Sequence, residues 1–141
     1  MTTSRAWWIG GVVILLAAAG PAATFRETAE SLVLENQAAR YVFSKQFRGS
    51  LVGIVDLESG VDFQAGLPYP AALFELTTAN GCDSGSLHNL SDGSFSYQGV
   101  VSGPSASLEL SYDGVGNHSL SVLVRVTVTD ASPRAGWSIE V

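Results

Sequence analysis

Few residues of this 141-residue chain have the types and the spacing that metal binding requires. Cys82, Asp83 and His88 lie close together in the sequence, and His118 lies much farther along. A zinc site needs three or four such ligands, and the C-x5-H spacing corresponds to no local zinc motif. The segment 80–92 is rich in oxygen ligands but lacks the regular D-x-[DN]-x-[DN]-G spacing of a calcium loop. We therefore expect turns in this segment, with no metal and no cofactor.

Residues for nucleophilic or acid–base catalysis are equally sparse. No G-x-S-x-G sequence is present, and both histidines lie beside predicted turns. Paired carboxylates for glycoside hydrolysis could come from Glu75, Glu109 and Glu140, each on a different predicted strand. Strand alternation sets Glu109 and Glu140 opposite their apolar neighbours, so both are expected to face water. The sequence predicts no catalytic residue.

Aromatic side chains offer a different chemistry, since exposed rings beside polar groups are what β-sandwich surfaces use to bind sugars. The candidate carbohydrate-binding residues are Tyr69, Tyr97, Tyr112 and Trp137. The alternative is that these rings belong to the core or to cross-strand pairs, as most strand aromatics do.

The N-terminal residues 1–23 have the pattern of a signal peptide. Arg5 supplies the positive charge, Ile9 to Ala19 an apolar run, and Gly20-Pro21-Ala22-Ala23 the small residues of a cleavage site. Cleavage is predicted after Ala22 or Ala23, with an uncleaved membrane anchor as the alternative. The mature protein is therefore expected to be secreted, periplasmic or at the cell surface, with membrane attachment only through an uncleaved signal.

Composition restricts the partners and the stabilising chemistry. The net charge of -6 argues against a nucleic-acid partner, because phosphate binding needs a basic face. Cys82 is the only cysteine, so no disulfide can form within the chain. Two N-glycosylation sequences, Asn89-Leu90-Ser91 and Asn117-His118-Ser119, matter only in a eukaryotic secretory pathway.

The elements that must position these residues are predicted to be strands, because β-branched and aromatic residues recur in short runs closed by Gly, Asn or Ser. We predict an N-terminal signal-peptide helix followed by one all-β domain over 24–141, an antiparallel β-sandwich. The stretch 51–57 is predicted as a central strand covered on both faces, with a bulge or close approach at Gly53. The residues 24–31 read as a lead-in or one turn of helix, and 113–117 as a hairpin turn. The predicted strands are 32–35, 39–43, 51–57, 71–78, 95–101, 107–112, 119–129 and 136–141.

Several of these segments together resemble a known family. The C-terminal stretch LSVLVRVTVTDASPRAGWSIEV is similar to a long strand and a Trp-containing strand of galactose mutarotase-like β-supersandwich domains. Such domains occur in secreted glycoside hydrolases and polysaccharide lyases. The N-terminal segments that share the resemblance are Leu34-Glu35-Asn36, Val42-Phe43, Gly49 to Val55 and the turn from Asp56 to Gly60.

The resemblance implies a partial supersandwich that packs beside a separate C-terminal catalytic domain in a longer, exported, carbohydrate-processing protein. In the mutarotases a His and a Glu perform the acid–base chemistry. Neither His88 nor His118 matches that pattern, and the family's Glu would lie beyond Val141. No catalytic residue is therefore carried over, and the domain is expected to be incomplete at its C-terminus.

Three functional hypotheses remain open from the sequence. The first is a non-catalytic β-sandwich module of an exported carbohydrate-processing protein, with a glycan as its ligand. The second is an exported structural or interaction domain with no glycan role. The third is an enzyme of the mutarotase type, which the missing acid–base pair disfavours.

Overall fold

The computed structural model describes residues 22–67, 70–77 and 86–141. The predicted all-β fold is confirmed for these residues, whose regular structure is strand apart from one short 3-10 helix. Nearly all of the predicted signal peptide, including its helix, lies outside the described residues, as do Cys82 and Asp83. The strands are β1 (Thr24–Glu27), β2 (Ser31–Glu35), β3 (Ala39–Ser44), β4 (Ser50–Asp56), β5 (Glu75–Leu76), β6 (Leu87–His88), β7 (Ser94–Ser102), β8 (Ser105–Asp113), β9 (Ser121–Thr129) and β10 (Ser132–Glu140).

Two antiparallel sheets form the sandwich. Sheet A has four strands in the order β1-β2-β3-β4, and sheet C has four strands in the order β10-β9-β8-β7. Strands β5 and β6 form a separate two-stranded sheet, sheet B. Consecutive strands are neighbours within each sheet, so both large sheets are simple meanders.

The core lies between the inner faces of sheets A and C. In β8 and β9 every second residue is buried, which follows from the period of two along a strand. Leu108 lies opposite Val126 and Leu110 opposite Val124, so the apolar side chains form layers across the sheet. The buried residues of these two strands are Ala106, Leu108, Leu110, Tyr112, Val122, Val124, Val126 and Val128, and sheet A contributes Leu32, Leu34, Tyr41 and Phe43.

The position of β4 differs from the prediction. The stretch 51–57 was expected to be a central strand, but β4 is the last strand of sheet A. The outer edge of β4 is instead covered by loop backbone. Phe63 N donates to Ile54 O at 2.9 Å, and Ala71 N donates to Leu51 O at 3.1 Å. The irregularity expected at Gly53 is confirmed, since the β3–β4 register shifts directly after the pair Val42 and Gly53.

Two other expectations are corrected. The polar segment 24–31 begins with strand β1, because Phe25 and its neighbours find hydrogen-bonding partners along β2. The expected strand over 71–78 is reduced to the two residues of β5 in the described part of the chain. The hairpin turn predicted at 113–117 is confirmed, since it joins the paired strands β8 and β9; it contains a 3-10 helix, Val115–Asn117, with positive φ at Gly114 and Gly116.

Asn36, in the turn between β2 and β3, connects the two large sheets. Its Oδ1 accepts hydrogen bonds from the backbone of Ala38 and Ala39, and its Nδ2 donates to Thr129 O at 3.1 Å and Ser132 O at 2.7 Å. A buried amide with all these partners fixes the end of sheet A against the β9–β10 connection.

Candidate functional site

A cleft of about 350 Å³ opens where the edge of sheet A meets the start of β10. Tyr41 and Ile54 form a cross-strand pair on the inner face of sheet A, and Phe63 follows the backbone that covers β4. The Phe63 ring is 64% exposed, so it presents a free face at the rim. The residues that line the cleft are Ala38, Ala39, Tyr41, Ile54, Asp56, Glu58, Phe63 and Pro133.

The loop that carries Phe63 is held in place by Asp62. The Asp62 Oδ1 atom accepts hydrogen bonds from Ile54 N at 3.2 Å and from Gln64 N at 2.9 Å. Phe63 N also donates to Ile54 O, so both the backbone of Phe63 and the side chain of the preceding Asp62 are bonded to Ile54 of β4. The ring therefore sits on a fixed backbone although it is exposed.

Two carboxylates lie at the end of β4 and on the turn that follows it, those of Asp56 and Glu58. Asp56 Oδ2 accepts a hydrogen bond from Ser59 Oγ at 2.9 Å, and its Oδ1 accepts one from Glu58 N at 2.9 Å. These bonds, that from the Ser59 hydroxyl first, hold the pKa of Asp56 below its ordinary value. Asp56 is therefore a charged turn residue, and Glu58 is exposed at the rim of the same cleft.

A larger cleft of about 530 Å³ lies on the outer face of sheet A. Its lining includes Val42, Val52 and Gln46 together with residues 28–31, and no aromatic ring. A third cleft, of about 380 Å³, also has a ring and a carboxylate, but its Glu35 is paired with Arg40 and its Phe25 packs against the core. Among these clefts of the described residues, the one beside Phe63 combines an exposed ring with two carboxylates. That cleft is therefore the candidate site.

Of the three residues predicted to bind sugar that the structure describes, Trp137 has the most accessible side chain. It is 44% exposed on β10, and its inner face packs on Phe43 with ring centroids 5.9 Å apart. Tyr69 lies outside the described residues. Trp137 is on the same strand as Pro133 of the cleft, which places it on the same side of the sandwich.

Tyr97 lies at the opposite edge of sheet C, on β7, and its polar group is already bonded. Its hydroxyl donates to Glu27 Oε1 at 2.7 Å, and the Lys45 ammonium lies 5.3 Å from the ring centroid. Lys45 also donates to Glu27, so the three side chains form one cluster between sheets A and C. Tyr97 and Trp137 therefore cannot share one sugar-binding platform.

The expectation that Tyr112 binds sugar is wrong, because its side chain is fully buried. Its ring packs edge-on against Phe74, with ring centroids 5.1 Å apart, and in a tilted arrangement against Phe95, with centroids 5.3 Å apart. Burial also raises the pKa of the Tyr112 hydroxyl, which donates to Arg48 O at 2.9 Å. Tyr112 is a core residue whose ring faces no solvent.

The predicted orientation of the carboxylates on sheet C is confirmed. Glu109 Oε1 accepts from Arg125 Nε at 2.8 Å, and Glu140 Oε1 lies 3.9 Å from the same guanidinium. All three side chains lie on the outer face of sheet C, away from the candidate cleft. Glu75, on β5, is exposed opposite His88.

A buried polar cluster around Arg48 and Asn89 was not predicted. Arg48 has a φ of 50°, and its guanidinium donates to Asn89 O at 2.9 Å and Gly93 O at 2.8 Å. The Asn89 amide donates to Ser50 Oγ at 2.7 Å and accepts from Leu73 N at 3.1 Å. These partners are too far apart in sequence for a local pattern to connect them.

The burial of Asn89 bears on the first N-glycosylation sequence. Its side chain is fully buried and its Nδ2 atom points at Ser50. A glycan attached to that nitrogen is incompatible with this fold, so the Asn89-Leu90-Ser91 sequence is no glycosylation site in the folded protein. Sequence matching alone carries no information on burial.

Within the residues described by the structure, no group of three or more His, Cys, Asp or Glu side chains is placed to hold a metal. His88 uses Nδ1 to accept a hydrogen bond from Leu90 N at 3.1 Å. In that same part of the chain, no helix is long and apolar enough to cross a membrane. Comparisons with protein-family models, curated proteins and solved structures found no match to this chain.

Proposed function

We propose that this chain is a non-catalytic β-sandwich module of an exported carbohydrate-processing protein, and that it binds a carbohydrate in the cleft beside Phe63. The observation that carries the proposal is the exposed Phe63 ring, fixed on a rigid backbone next to Asp56 and Glu58. One face of a sugar ring carries mainly C–H groups, which pack on an aromatic ring, while its hydroxyls donate to carboxylates. The cleft offers both partners side by side.

The non-catalytic part of the proposal is supported by the positions of the other carboxylates. Glu109 and Glu140 share Arg125 on the outer face of sheet C, and Asp56 is bonded within its own turn. A general acid needs a raised pKa, whereas the pKa of Asp56 is lowered. Asp56 is therefore suited to accept hydrogen bonds from a hydroxyl-rich ligand rather than to serve as a general acid.

A glycan array followed by calorimetry on the best ligand tests the proposal. Phe63→Ala should weaken binding about tenfold, since a good aromatic contact contributes up to about 1.5 kcal/mol. Glu58→Gln should weaken binding as well, because a neutral amide accepts a weaker hydrogen bond than a carboxylate. Val101→Ala is the matched control, as Val101 is similarly exposed on β7 at the far edge of sheet C.

Failure of the whole array to yield a ligand, or binding that Phe63→Ala leaves unchanged, would remove the carbohydrate role. The second candidate function would then stand, an exported structural or interaction domain. It is favoured by the exposed apolar residues Trp137 and Ile139 on the edge strand β10. The third, a mutarotase-type enzyme, would require that the chain speed the interconversion of sugar anomers.

A further inference from the structure

The edge of β10 is an unusually accessible strand edge. The edge of β4 is bonded by loop backbone at Phe63 and Ala71, and β1 is only four residues long. β10 has nine residues, no further strand among the described residues pairs with its outer side, and most of its residues are exposed. A row of unpaired backbone N–H and C=O groups of this length is a template for another strand.

Charges of opposite sign occupy symmetric positions on β10. Arg134 lies three residues before Trp137, and Glu140 lies three residues after it. Arg134 is exposed and, among the described residues, has no acidic side chain within 4.0 Å, while Glu140 reaches Arg125 only at 3.9 Å. β7, the other long edge of sheet C, has no charged residue at all.

We propose that β10 pairs with β10 of a second copy of this chain, antiparallel and centred on Trp137. In this register, a residue that lies a given number of positions before Trp137 is opposite the residue that lies the same number of positions after Trp137 in the second copy. Arg134 then lies opposite Glu140 of the second copy, and the symmetric contact repeats at the other end. The two copies of sheet C become one continuous sheet of eight strands.

The side chains are arranged to fit this pairing. Ala135 packs against the core and Trp137 contacts Phe43, so these two residues and Ile139 lie on the inner face. Trp137 would lie opposite Trp137 of the second copy, and Ala135 would lie opposite Ile139 of the second copy. Together these side chains form an apolar row on the inner face. Glu140 lies on the outer face, opposite Leu123 of β9. Arg134 lies in the stretch 133–135 where the β9–β10 register shifts, and its position next to the inward-facing Ala135 puts it on the same outer face, where the opposite charges meet.

The charges determine the register more than the affinity. Exposed ion pairs contribute little to the free energy of association. Like charges directly opposite each other on neighbouring strands, in contrast, destabilise the pairing. A register shifted so that Glu140 faces Glu140 would be disfavoured for that reason. Pro133 marks one end of the pairing, since it has no N–H to donate.

The test is sedimentation and light scattering of the exported chain at concentrations between about 1 and about 100 µM, the range in which small interfaces dissociate. The wild type should change from monomer to dimer over this range. Arg134→Glu and Glu140→Arg should each remain monomeric, because each places two pairs of like charges across the symmetric interface. The double variant Arg134→Glu/Glu140→Arg should recover the dimer.

Arg26→Glu is the matched control, since Arg26 is exposed on β1 of the other sheet and the charge change is the same. Thermal melting of every variant establishes that each one folds. A wild type that stays monomeric at the highest concentration overturns the proposal. So does a dimer that survives both single reversals, or one that the double variant fails to restore. None of these variants alters a residue that lines the cleft beside Phe63, so the outcome is independent of sugar binding.

Discussion

The ring of Phe25, on β1, lies directly on the backbone of Gly99, on β7. A Cβ atom at position 99 would stand 2.1 Å from Phe25 Cε1, which is closer than non-bonded atoms can approach. Because Gly99 has no side chain, β1 at the edge of sheet A can pack closely against β7 at the edge of sheet C. One glycine in an otherwise alternating strand sets the distance between the two sheets at this end.

Gly99→Ala should lower the free energy of unfolding by about 1–3 kcal/mol, the usual cost of forcing atoms into a filled core. Chemical denaturation at low protein concentration measures the effect. Gly136→Ala is the control, because the nearest atom to its added Cβ is a backbone oxygen at 3.9 Å and its φ is not in the left-handed region. That variant should remain within about 0.5 kcal/mol of the wild type. Equal losses in both variants would contradict the steric explanation.

The ion pair between Glu27 and Lys45 predicts a pH dependence of stability. The hydrogen bond from Lys45 holds the pKa of Glu27 below its ordinary 4.5, and the same bond holds the pKa of Lys45 above its ordinary 10.5. The contribution of Glu27 is present above pH 4.5 and is lost as pH falls through its lowered pKa. The contribution of Lys45 is present below pH 10.5 and is lost as pH rises through its raised pKa.

Melting temperatures of wild type and Glu27→Gln, compared across pH, measure this contribution. Between pH 4.5 and pH 10.5 the wild type should have the higher melting temperature. The difference in melting temperature between the two proteins should decrease at more acidic and at more basic pH. Both side chains are at the surface, so added salt should reduce the difference. Glu30→Gln, which removes a nearby exposed carboxylate outside the ion pair, should follow the wild-type curve. A Glu27→Gln curve parallel to the wild type at every pH would exclude a role for this pair.

The strands were predictable wherever alternation was regular. In β9 the residues Val122, Val124, Val126 and Val128 are all buried, as a period of two requires. The position of β4 was not predictable from the same kind of signal. An apolar strand at an edge can be covered by loop backbone, as β4 is at Phe63, and its sequence then resembles that of a central strand.

The candidate site was not predictable from the sequence, since none of Tyr97, Tyr112 and Trp137 lines the cleft beside Phe63. Trp137 was identified as an accessible ring, but Tyr112 alternates in the same way and is a core residue, since burial depends on which face of the sheet meets the other sheet. Phe63 was missed because it lies in a loop, where no periodicity indicates exposure. The position of the Phe63 ring depends on Asp62, whose carboxylate fixes the loop on β4 through hydrogen bonds that no sequence pattern encodes.

The burial of Ala23 refines the predicted signal cleavage. Ala23 is fully buried among the core residues, whereas Ala22 is exposed. Cleavage after Ala22 would keep Ala23 in the core, and cleavage after Ala23 would remove it. We therefore predict that the exported protein begins at Ala23, which mass spectrometry of its N-terminus can establish. Protein that begins at Thr24 should melt at a lower temperature, because it lacks a buried methyl group worth about 0.8 kcal/mol. Equal melting temperatures would contradict this role for Ala23.

Asn36→Asp provides the most specific test of how the two sheets are joined. The carboxylate would keep the acceptor for Ala38 N and Ala39 N but would place negative charge against the carbonyl oxygens of Thr129 and Ser132. These oxygens would raise the pKa of the new carboxyl above its unfolded value of about 3.9. The protonated form can still donate one hydrogen bond, so the loss of stability should be small below about pH 4 and should grow as pH rises.

Chemical denaturation of Asn36→Asp between pH 3 and 8, a range of about five units chosen to bracket the carboxyl pKa, measures this effect. Asn36→Ala is the control, because it removes the same donors without adding a titrating group. Asn36→Ala should lower the free energy of unfolding by about 1–3 kcal/mol, because the carbonyl oxygens of Thr129 and Ser132 are left unpaired. This loss should not vary with pH. If the two variants lose the same stability at every pH, Asn36 does not join the sheets through its amide nitrogen. A loss in Asn36→Asp that follows pH, beside a constant loss in Asn36→Ala, would place the Asn36 amide between the two sheets as their connecting hydrogen-bond donor.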